Sequence, residues 1–123
     1  MSTVLVVDDS ATLREMISDV LKKSGLNVIH ACDGVEGMEK IQAKCPDLVV
    51  VDIIMPRMNG YELCRWIKSD PTAQNTPVVM CSTKDEEFDR YWGTKQGGDA
   101  YITKPFQPKE LIDTVKQLLQ KTG

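Results

Sequence analysis

The 123-residue sequence lacks several features that define common classes of metal and redox proteins. It contains one histidine, His30, and its four cysteines form no C-x-x-C pair, so neither a zinc site nor a thioredoxin-like motif has its ligands. Free cysteine is among the most buried residue types. We therefore expect reduced, partly buried small hydrophobic residues at Cys32, Cys45, Cys64 and Cys81.

Excess positive charge and long apolar runs are also missing. The net charge is −3, with 15 basic and 18 acidic residues, so we expect no direct binding of nucleic acid. No apolar run approaches the roughly 20 residues that span a bilayer, and the start, "MSTVLVVDDS", does not resemble a signal peptide. We expect a cytoplasmic protein without membrane insertion, as a monomer or weak dimer.

Five short apolar runs alternate with stretches that have apolar residues at helical spacing. The runs cover 4–8, 27–31, 48–52, 77–82 and 100–103. Three of them are continuous rather than alternating, which is typical of strands covered by helices on both faces. This order predicts an α/β fold across 1–123 as one domain: a (βα)5 doubly wound, five-stranded parallel sheet of order 2-1-3-4-5, with flavodoxin-like topology.

Carboxylates end two of the predicted strands. Asp8 and Asp9 end the first strand, and Asp52 ends the third. In this topology the carboxyl ends of strands one and three meet at the switch point, so we expect these three side chains to share one cleft. Like charges at close range raise one another's pKa, and a hard divalent cation relieves the repulsion. Oxygen ligands suit Mg²⁺ or Mn²⁺.

The same edge of the sheet is predicted to collect a hydroxyl and an ammonium group. Ser82 ends the fourth strand and Lys104 follows the fifth, and both groups suit an anion. Alone, each of these residues is more often a helix cap or loop residue than a catalytic one. Together they predict a site that stabilises a phosphoryl group on a carboxylate oxygen, with Asp52 as the acceptor.

Four motifs in these positions resemble the receiver domain of bacterial two-component response regulators, in particular the single-domain chemotaxis-type regulators. The resemblance covers essentially the whole chain. It rests on "LVVDDS", "DLVVVDIIMPRMNG", "PVVMCS" and "DAYITKPF".

The resemblance implies a role for each matching residue. Asp52 would be the phosphoacceptor, Asp9 and Asp52 direct metal ligands, and Asp8 a ligand mainly through water. The backbone carbonyl of Ile54 would be another ligand. Lys104 would pair with the phosphoryl oxygens, and the peptide bond to Pro105 is expected to be cis. The switch pair would be Ser82 and Tyr101.

The resemblance also implies a signalling switch rather than an enzyme with an external substrate. A histidine kinase or phosphorelay protein would supply the phosphoryl group, and Mg²⁺ would neutralise the carboxylates. Movement of the switch pair would then change the face formed by the predicted fourth helix, fifth strand and fifth helix, which a downstream protein reads.

Several positions differ from the usual family pattern. Ser82 replaces the more frequent threonine, and Thr83 follows it where the family favours Ala or Gly. Ile54 and Lys84 occupy the positions that tune attack by water on the acyl phosphate, which predicts slow self-dephosphorylation.

The segment around Tyr91 and Trp92, "DRYWGTKQG", is similar to regulators of type IV pilus twitching motility and phototaxis. Trp92 is either a core residue or an anchor for a partner.

Three other functions share parts of this pattern. A small phosphatase of the haloacid dehalogenase type also uses Asp, Lys and Mg²⁺, but its motif has Asp-x-Asp, whereas Ile54 stands two residues after Asp52. A flavin-binding module would need a phosphate loop after strand one, where "DDSATLRE" would repel phosphate. A receiver fold that binds partners without phosphorylation would not need all five polar positions.

Overall fold

The chain alternates strands and helices. The computed structural model describes residues 2–82 and 98–122. Its elements are β1 (Thr3–Val7), α1 (Ala11–Lys23), β2 (Asn27–Ala31), α2 (Gly34–Lys44), β3 (Leu48–Asp52), α3 (Gly60–Ser69), β4 (Val78–Ser82), β5 (Ala100–Thr103) and a C-terminal helix (Pro108–Thr122). The predicted fourth helix lies outside the described residues, as do the sequence expectations for Thr83, Lys84, Tyr91 and Trp92.

The five strands form one parallel sheet in the order β2-β1-β3-β4-β5. This confirms the predicted doubly wound, flavodoxin-like α/β fold. Strands β1 and β3 are direct neighbours, with Val7 opposite Val51 in the register. The chain continues outward from β1 to β2 on one side and from β3 to β4 on the other. The switch point of the sheet therefore lies between the carboxyl ends of β1 and β3.

Two apolar layers cover the two faces of the sheet. Along β1, Val4 and Val6 pack into the layer beneath α1 and the C-terminal helix, whereas Leu5 and Val7 pack into the layer beneath α2 and α3. All four side chains are buried. Burial on both faces explains why the central strands read as continuous apolar runs in the sequence.

Local sequence signals set the helix boundaries. The first three helices are each preceded by a residue whose side chain accepts a hydrogen bond from a first-turn backbone N–H, namely Ser10, Asp33 and Asn59. Asn59 and Glu62 form a reciprocal capping box at the start of α3. After α1, Gly25 adopts a φ of 88°, a conformation that glycine tolerates.

The cysteines divide into two pairs, and all four are free thiols. Cys64 and Cys81 are buried as predicted, and burial raises their pKa values to about 11 and about 12. The prediction of partial burial was wrong for Cys32 and Cys45, which are exposed. Cys32 follows the edge strand β2, and Cys45 ends α2 in a left-handed conformation with φ of 47°, so both lie in surface connections.

Candidate functional site

Three carboxylates converge at the switch point of the sheet. Asp8 and Asp9 directly follow β1, and Asp52 is the last residue of β3. One carboxylate oxygen from each of the three lies within 4.8 Å of the other two. Asp8 is buried, Asp52 is partly buried and Asp9 is exposed, so the cluster opens to solvent on one side. Asp8 and Asp52 are 44 positions apart in the sequence, and they meet because β1 and β3 are neighbours in the sheet.

Asp8 is the most heavily bonded member of the cluster. Its Oδ1 accepts a hydrogen bond from the backbone N–H of Ser10 at 2.9 Å, and its Oδ2 accepts one from Lys104 Nζ at 2.9 Å. Its backbone carbonyl accepts a hydrogen bond from Arg14 Nη1 at 2.7 Å. Because Ser10 and Lys104 satisfy both oxygens of a side chain that is only 2% exposed, the Asp8 carboxylate is held in one position.

Lys104 reaches the cluster from the end of β5. Its backbone N–H donates to the carbonyl of Ser82 at 2.7 Å, which joins the ends of β4 and β5, and its peptide bond to Pro105 is cis. Its Nζ lies 2.9 Å from Asp8 Oδ2 and 3.6 Å from Asp52 Oδ1. The ammonium group therefore sits between two carboxylates and makes its shorter contact with Asp8.

Burial and the surrounding charges shift two pKa values in the cluster. Burial is the main reason that the pKa of Asp52 rises from 3.8 to about 6; the charge of Lys104 opposes this rise, and Asp8 and Asp9 add to it. Burial alone would lower the pKa of Lys104, but the hydrogen bond to Asp8 and the charge of Asp52 raise it above its ordinary value. Lys104 is thus an ammonium ion at neutral pH.

The donor set fits a hard divalent cation. Among the described residues, Lys104 is the cation that forms salt bridges within the cluster, with Asp8 and Asp52, so one positive charge faces up to three negative ones. Asp9 and Asp52 offer oxygen atoms that are accessible to solvent, which a cation with bound water can reach. Within residues 2–82 and 98–122, the cluster contains no nitrogen or sulfur ligand of the kind zinc prefers.

The other predicted site residues surround the cluster at different depths. Ser82 is fully buried at the end of β4, one residue beyond the register partner of Asp52. Tyr101 is in the middle of β5, and its half-buried side chain packs against the layer beneath α2 and α3. Ile54 follows β3 with an exposed side chain, and its backbone N–H lies near enough to the Asp52 carboxylate to oppose the rise in the pKa of that group.

Sequence reasoning did not find the contacts of the loop between β3 and α3, residues 53–59. Arg57 forms a salt bridge with Asp33, the residue that caps α2. The close approach of Gly60 to the backbone of Asp52 was also missed; a Cβ at this glycine would lie 2.4 Å from the Asp52 carbonyl oxygen. The motif "MPRMNG" signals a turn, but no local pattern pairs its arginine with a carboxylate 24 residues earlier.

The doubly wound sheet makes this a flavodoxin-like α/β domain. Its acidic cleft lies at the switch point, at the carboxyl ends of the strands, where domains of this topology bind their ligands. The family model described as "Response regulator receiver domain" matches residues 4–116. The chain therefore belongs to the response regulator receiver family, as the sequence motifs predicted. This makes it a signalling domain of two-component systems rather than a conventional enzyme, and the phosphatase alternative is not favoured.

Several relatives of known name match most of the chain. Protein PilG of Pseudomonas aeruginosa is 44% identical over 113 residues, which cover 92% of this chain and 84% of PilG. Protein PilH of the same organism is 36% identical over 119 residues, covering 97% and 98% of the two chains. Other relatives are longer: the chain spans about half the length of several of them, such as the regulatory protein PhoP of Bacillus subtilis, of which it covers 49%.

Solved structures show the same architecture. The chemotaxis protein CheY4 of Vibrio cholerae superposes with a TM-score of 0.91 at 32% sequence identity, and the match covers 96% of this chain and 98% of that one. The five-stranded order and the position of the switch point thus agree with an experimentally determined chemotaxis protein. Separately, none of the helices in the described part of the chain is long and apolar enough to cross a membrane.

Proposed function

We propose that residues 1–123 act as one phosphorylation-activated receiver domain in which Asp52 accepts the phosphoryl group. One observation carries the proposal: carboxylate oxygens of Asp8, Asp9 and Asp52 lie within 4.8 Å of one another, and Lys104 Nζ is 3.6 Å from Asp52. A nucleophilic carboxylate, a set of oxygen ligands and a fixed ammonium group are the parts that phosphoryl transfer to a carboxylate needs.

The transfer is a displacement at phosphorus. An Asp52 carboxylate oxygen forms the new P–O bond while the bond from phosphorus to the donor breaks, and the donor's leaving group keeps the electron pair. The donor is a histidine kinase or phosphorelay protein, whose imidazole nitrogen then takes up a proton. Lys104 binds the phosphoryl oxygens; its position between Asp8 and Asp52 supports this role.

Asp9 and Asp52 are the proposed direct ligands of Mg²⁺, or Mn²⁺, with the Ile54 carbonyl as a further ligand and Asp8 acting mainly through water. When bound, the ion neutralises negative charge on the carboxylates and the incoming phosphoryl group. Asp8 also holds Lys104 through the 2.9 Å hydrogen bond, so this residue orients the ammonium group as well as the water shell.

Ser82 and Tyr101 are the proposed switch residues. The phosphoryl group adds about −1.5 to −2 charge next to the end of β4, and the Ser82 hydroxyl moves toward it. Tyr101 then turns inward beside β4, where it is already half-buried. The change alters the face formed by β5, the C-terminal helix and the predicted fourth helix, and a downstream protein binds the altered face.

The relatives support a role in motility or taxis signalling. The chain is similar to the proteins PilG and PilH of Pseudomonas aeruginosa and to CheY4, which is a chemotaxis protein. Their similarity agrees with the resemblance of the "DRYWGTKQG" segment to regulators of twitching motility and phototaxis. We place this chain in that branch, with its target bound directly by the receiver domain.

Phosphorylation with a small donor tests the proposal. The protein is incubated with Mg²⁺ and acetyl phosphate, and its intact mass is measured. We expect one phosphoryl group per chain, released by hydroxylamine because the product is an acyl phosphate. Asp52→Asn should remain unlabelled, and Lys104→Met should be labelled far more slowly.

Asp19→Asn is the matched control, because Asp19 lies on the exposed face of α1 and outside the cluster. It should be labelled like the wild type. Labelling of Asp52→Asn to the wild-type level, or turnover of a phosphomonoester by the wild type, would refute the proposed acceptor or the proposed class of function.

A further inference from the structure

The loop of residues 53–59 joins Asp52 to α3 and is packed against its neighbours at both ends. At the α3 end, the Gly60 backbone N–H donates to the carbonyl of Ile53 at 2.9 Å. Near the middle, Met58 packs directly against Gly34, where an added Cβ would lie 2.6 Å from Met58 Cβ. The backbone of this loop is therefore confined by α2 and α3 while its Ile54 N–H lies beside the Asp52 carboxylate.

Arg57 occupies an unfavourable backbone conformation in this loop. Its φ is 66°, in the left-handed region that glycine and asparagine adopt more readily than arginine. Its side chain makes two hydrogen bonds to the same oxygen, with Nε at 2.8 Å and Nη2 at 2.5 Å from Asp33 Oδ2. Glycine or asparagine would adopt this backbone conformation at lower cost, but only arginine makes these two hydrogen bonds to Asp33.

Asp33 is a suitable anchor because it is itself fixed. Its side chain is 8% exposed, while that of Arg57 is 59% exposed. Its Oδ1 accepts a hydrogen bond from the Glu36 N–H at 2.9 Å, which caps α2, and its Oδ2 accepts the two bonds from Arg57. The Glu36 N–H and the Arg57 guanidinium hold the pKa of Asp33 below its usual value. The loop is therefore tied to the first turn of α2.

We propose that Arg57 is a positioning residue for the cation site: through Asp33 it fixes the 53–59 loop so that the Ile54 backbone stays beside the Asp52 carboxylate. The ion binds a site whose protein oxygens are already placed, because the loop does not have to be ordered on binding. The inference rests on the proposed function, since it concerns the same Mg²⁺ site.

The first arm of the test measures Mg²⁺ affinity by NMR titration of the whole chain. Arg57→Asn removes the guanidinium but suits the left-handed backbone, and Asp33→Asn keeps the cap of α2 but loses the charge. We expect each variant to raise the Kd for Mg²⁺ about tenfold, as loss of a supporting contact does at other metal sites. The double variant should bind like either single one, because both remove one contact.

Thermal unfolding separates positioning from general stability. Because Arg57→Asn relieves the backbone at residue 57, we expect its melting temperature to stay near that of the wild type while its Mg²⁺ affinity falls. Lys109→Asn is the control, since it breaks the exposed pair with Asp113 on the C-terminal helix. It should leave the Kd unchanged. Wild-type Mg²⁺ affinity in Arg57→Asn would overturn the inference.

The second arm uses no metal. Hydrogen exchange in EDTA should be faster at the Gly60 N–H, which bonds to Ile53, in Arg57→Asn than in the wild type, and equal at Val51 within β3. Unchanged exchange at Gly60 would overturn the inference. If the wild type bound no Mg²⁺, the proposed function would fail, and the exchange data would still decide whether Arg57 anchors the loop.

Discussion

At the scale of single residues, Asp52 explains why an apolar strand ends in a carboxylate. Its neighbours Val49, Val50 and Val51 are buried, whereas Asp52 lies where β3 reaches the edge of the sheet and is partly open. Burial still raises its pKa to about 6. The side chain is therefore poorly stabilised as an anion in the absence of a cation, and this is the property that a site for Mg²⁺ and phosphate requires.

This raised pKa makes stability depend on pH. A carboxyl group with a higher pKa in the folded state than in the unfolded state favours folding only while it is protonated. Stability is therefore lost as pH rises from about 4 to about 6. In metal-free protein, Asp52→Asn should increase the free energy of unfolding by up to roughly 3 kcal/mol above pH 6, because a shift of one unit corresponds to about 1.36 kcal/mol. Below pH about 4 the two proteins should be equally stable.

Urea unfolding in EDTA at both ends of this pH range measures the effect. Asp113→Asn, on the exposed surface of the C-terminal helix, is the matched control and should change stability by less than about 0.5 kcal/mol at either pH. A destabilised Asp52→Asn protein at high pH would show that burial does not penalise the Asp52 anion.

Ile54 sets an expectation for the lifetime of the phosphoryl group. Its side chain is 54% exposed and lies two residues after Asp52, so water that approaches the phosphoryl group meets an apolar surface. An apolar group cannot orient or deprotonate that water. We expect the wild type to keep its label for longer than seconds and Ile54→Asn to lose it faster, as measured by the decay of radiolabelled protein in Mg²⁺ buffer. Equal decay rates would contradict this role.

At the scale of elements, the junction between β3 and α3 is tightly constrained by a close backbone approach. Gly60 is the first residue of α3, and a Cβ there would lie 2.4 Å from the Asp52 carbonyl oxygen and 2.8 Å from Ile53 Cα. Both are backbone atoms, which cannot relieve the clash by rotation as the end of a flexible side chain could. The close approach of α3 to the end of β3 therefore depends on glycine, and it determines where Asp52 lies relative to the following loop.

We predict that Gly60→Ala lowers the free energy of unfolding by about 1–3 kcal/mol, the range for overpacking, and also slows phosphorylation. Gly37→Ala is the control, because its Cβ would meet the flexible end of Leu63 at 3.1 Å and alanine favours the middle of α2. It should be close to neutral in urea unfolding. If Gly60→Ala and Gly37→Ala changed the free energy of unfolding equally, the backbone at the junction of β3 and α3 would be able to shift and accommodate the added Cβ.

At the scale of the whole molecule, the proposed function implies that ion binding is coupled to folding. Its ligands come from the ends of β1 and β3, and Lys104 comes from the end of β5, so the site exists only when the sheet is assembled. A ligand that binds the folded state alone stabilises it according to its concentration relative to Kd. Under the proposed function, ion binding should therefore increase the stability of the folded chain.

Mg²⁺ at about 100 times its Kd should therefore raise the free energy of unfolding by about 2.7 kcal/mol, and EDTA should reverse the gain. Asp9→Asn should reduce the gain, because it removes a proposed ligand that is exposed and has little part in the core. KCl at equal ionic strength controls for screening. The same stabilisation by KCl, or an undiminished gain in Asp9→Asn, would contradict a specific site. Denaturant unfolding measures all of these changes.

The amino-acid sequence by itself determined the fold class and the edge of the sheet at which the site lies. Continuous apolar runs and helical spacing are local patterns, and the apolar runs predicted the strands to within a residue or two of their observed ends. Parallel topology then required Asp8, Asp9 and Asp52 to share one edge. No side-chain contact had to be known for that prediction, because strand direction alone controls which ends meet.

Only the tertiary structure decided which side chains pair. Lys104 makes its shorter contact with Asp8 rather than with Asp52, and Arg57 adopts a positive φ to reach Asp33. These contacts join groups that are 24 to 96 residues apart along the chain. Local sequence patterns indicate periodicity and turn preference, but they do not determine the distances between side chains that are far apart in the sequence. Those distances are fixed only when the helices pack onto the assembled sheet.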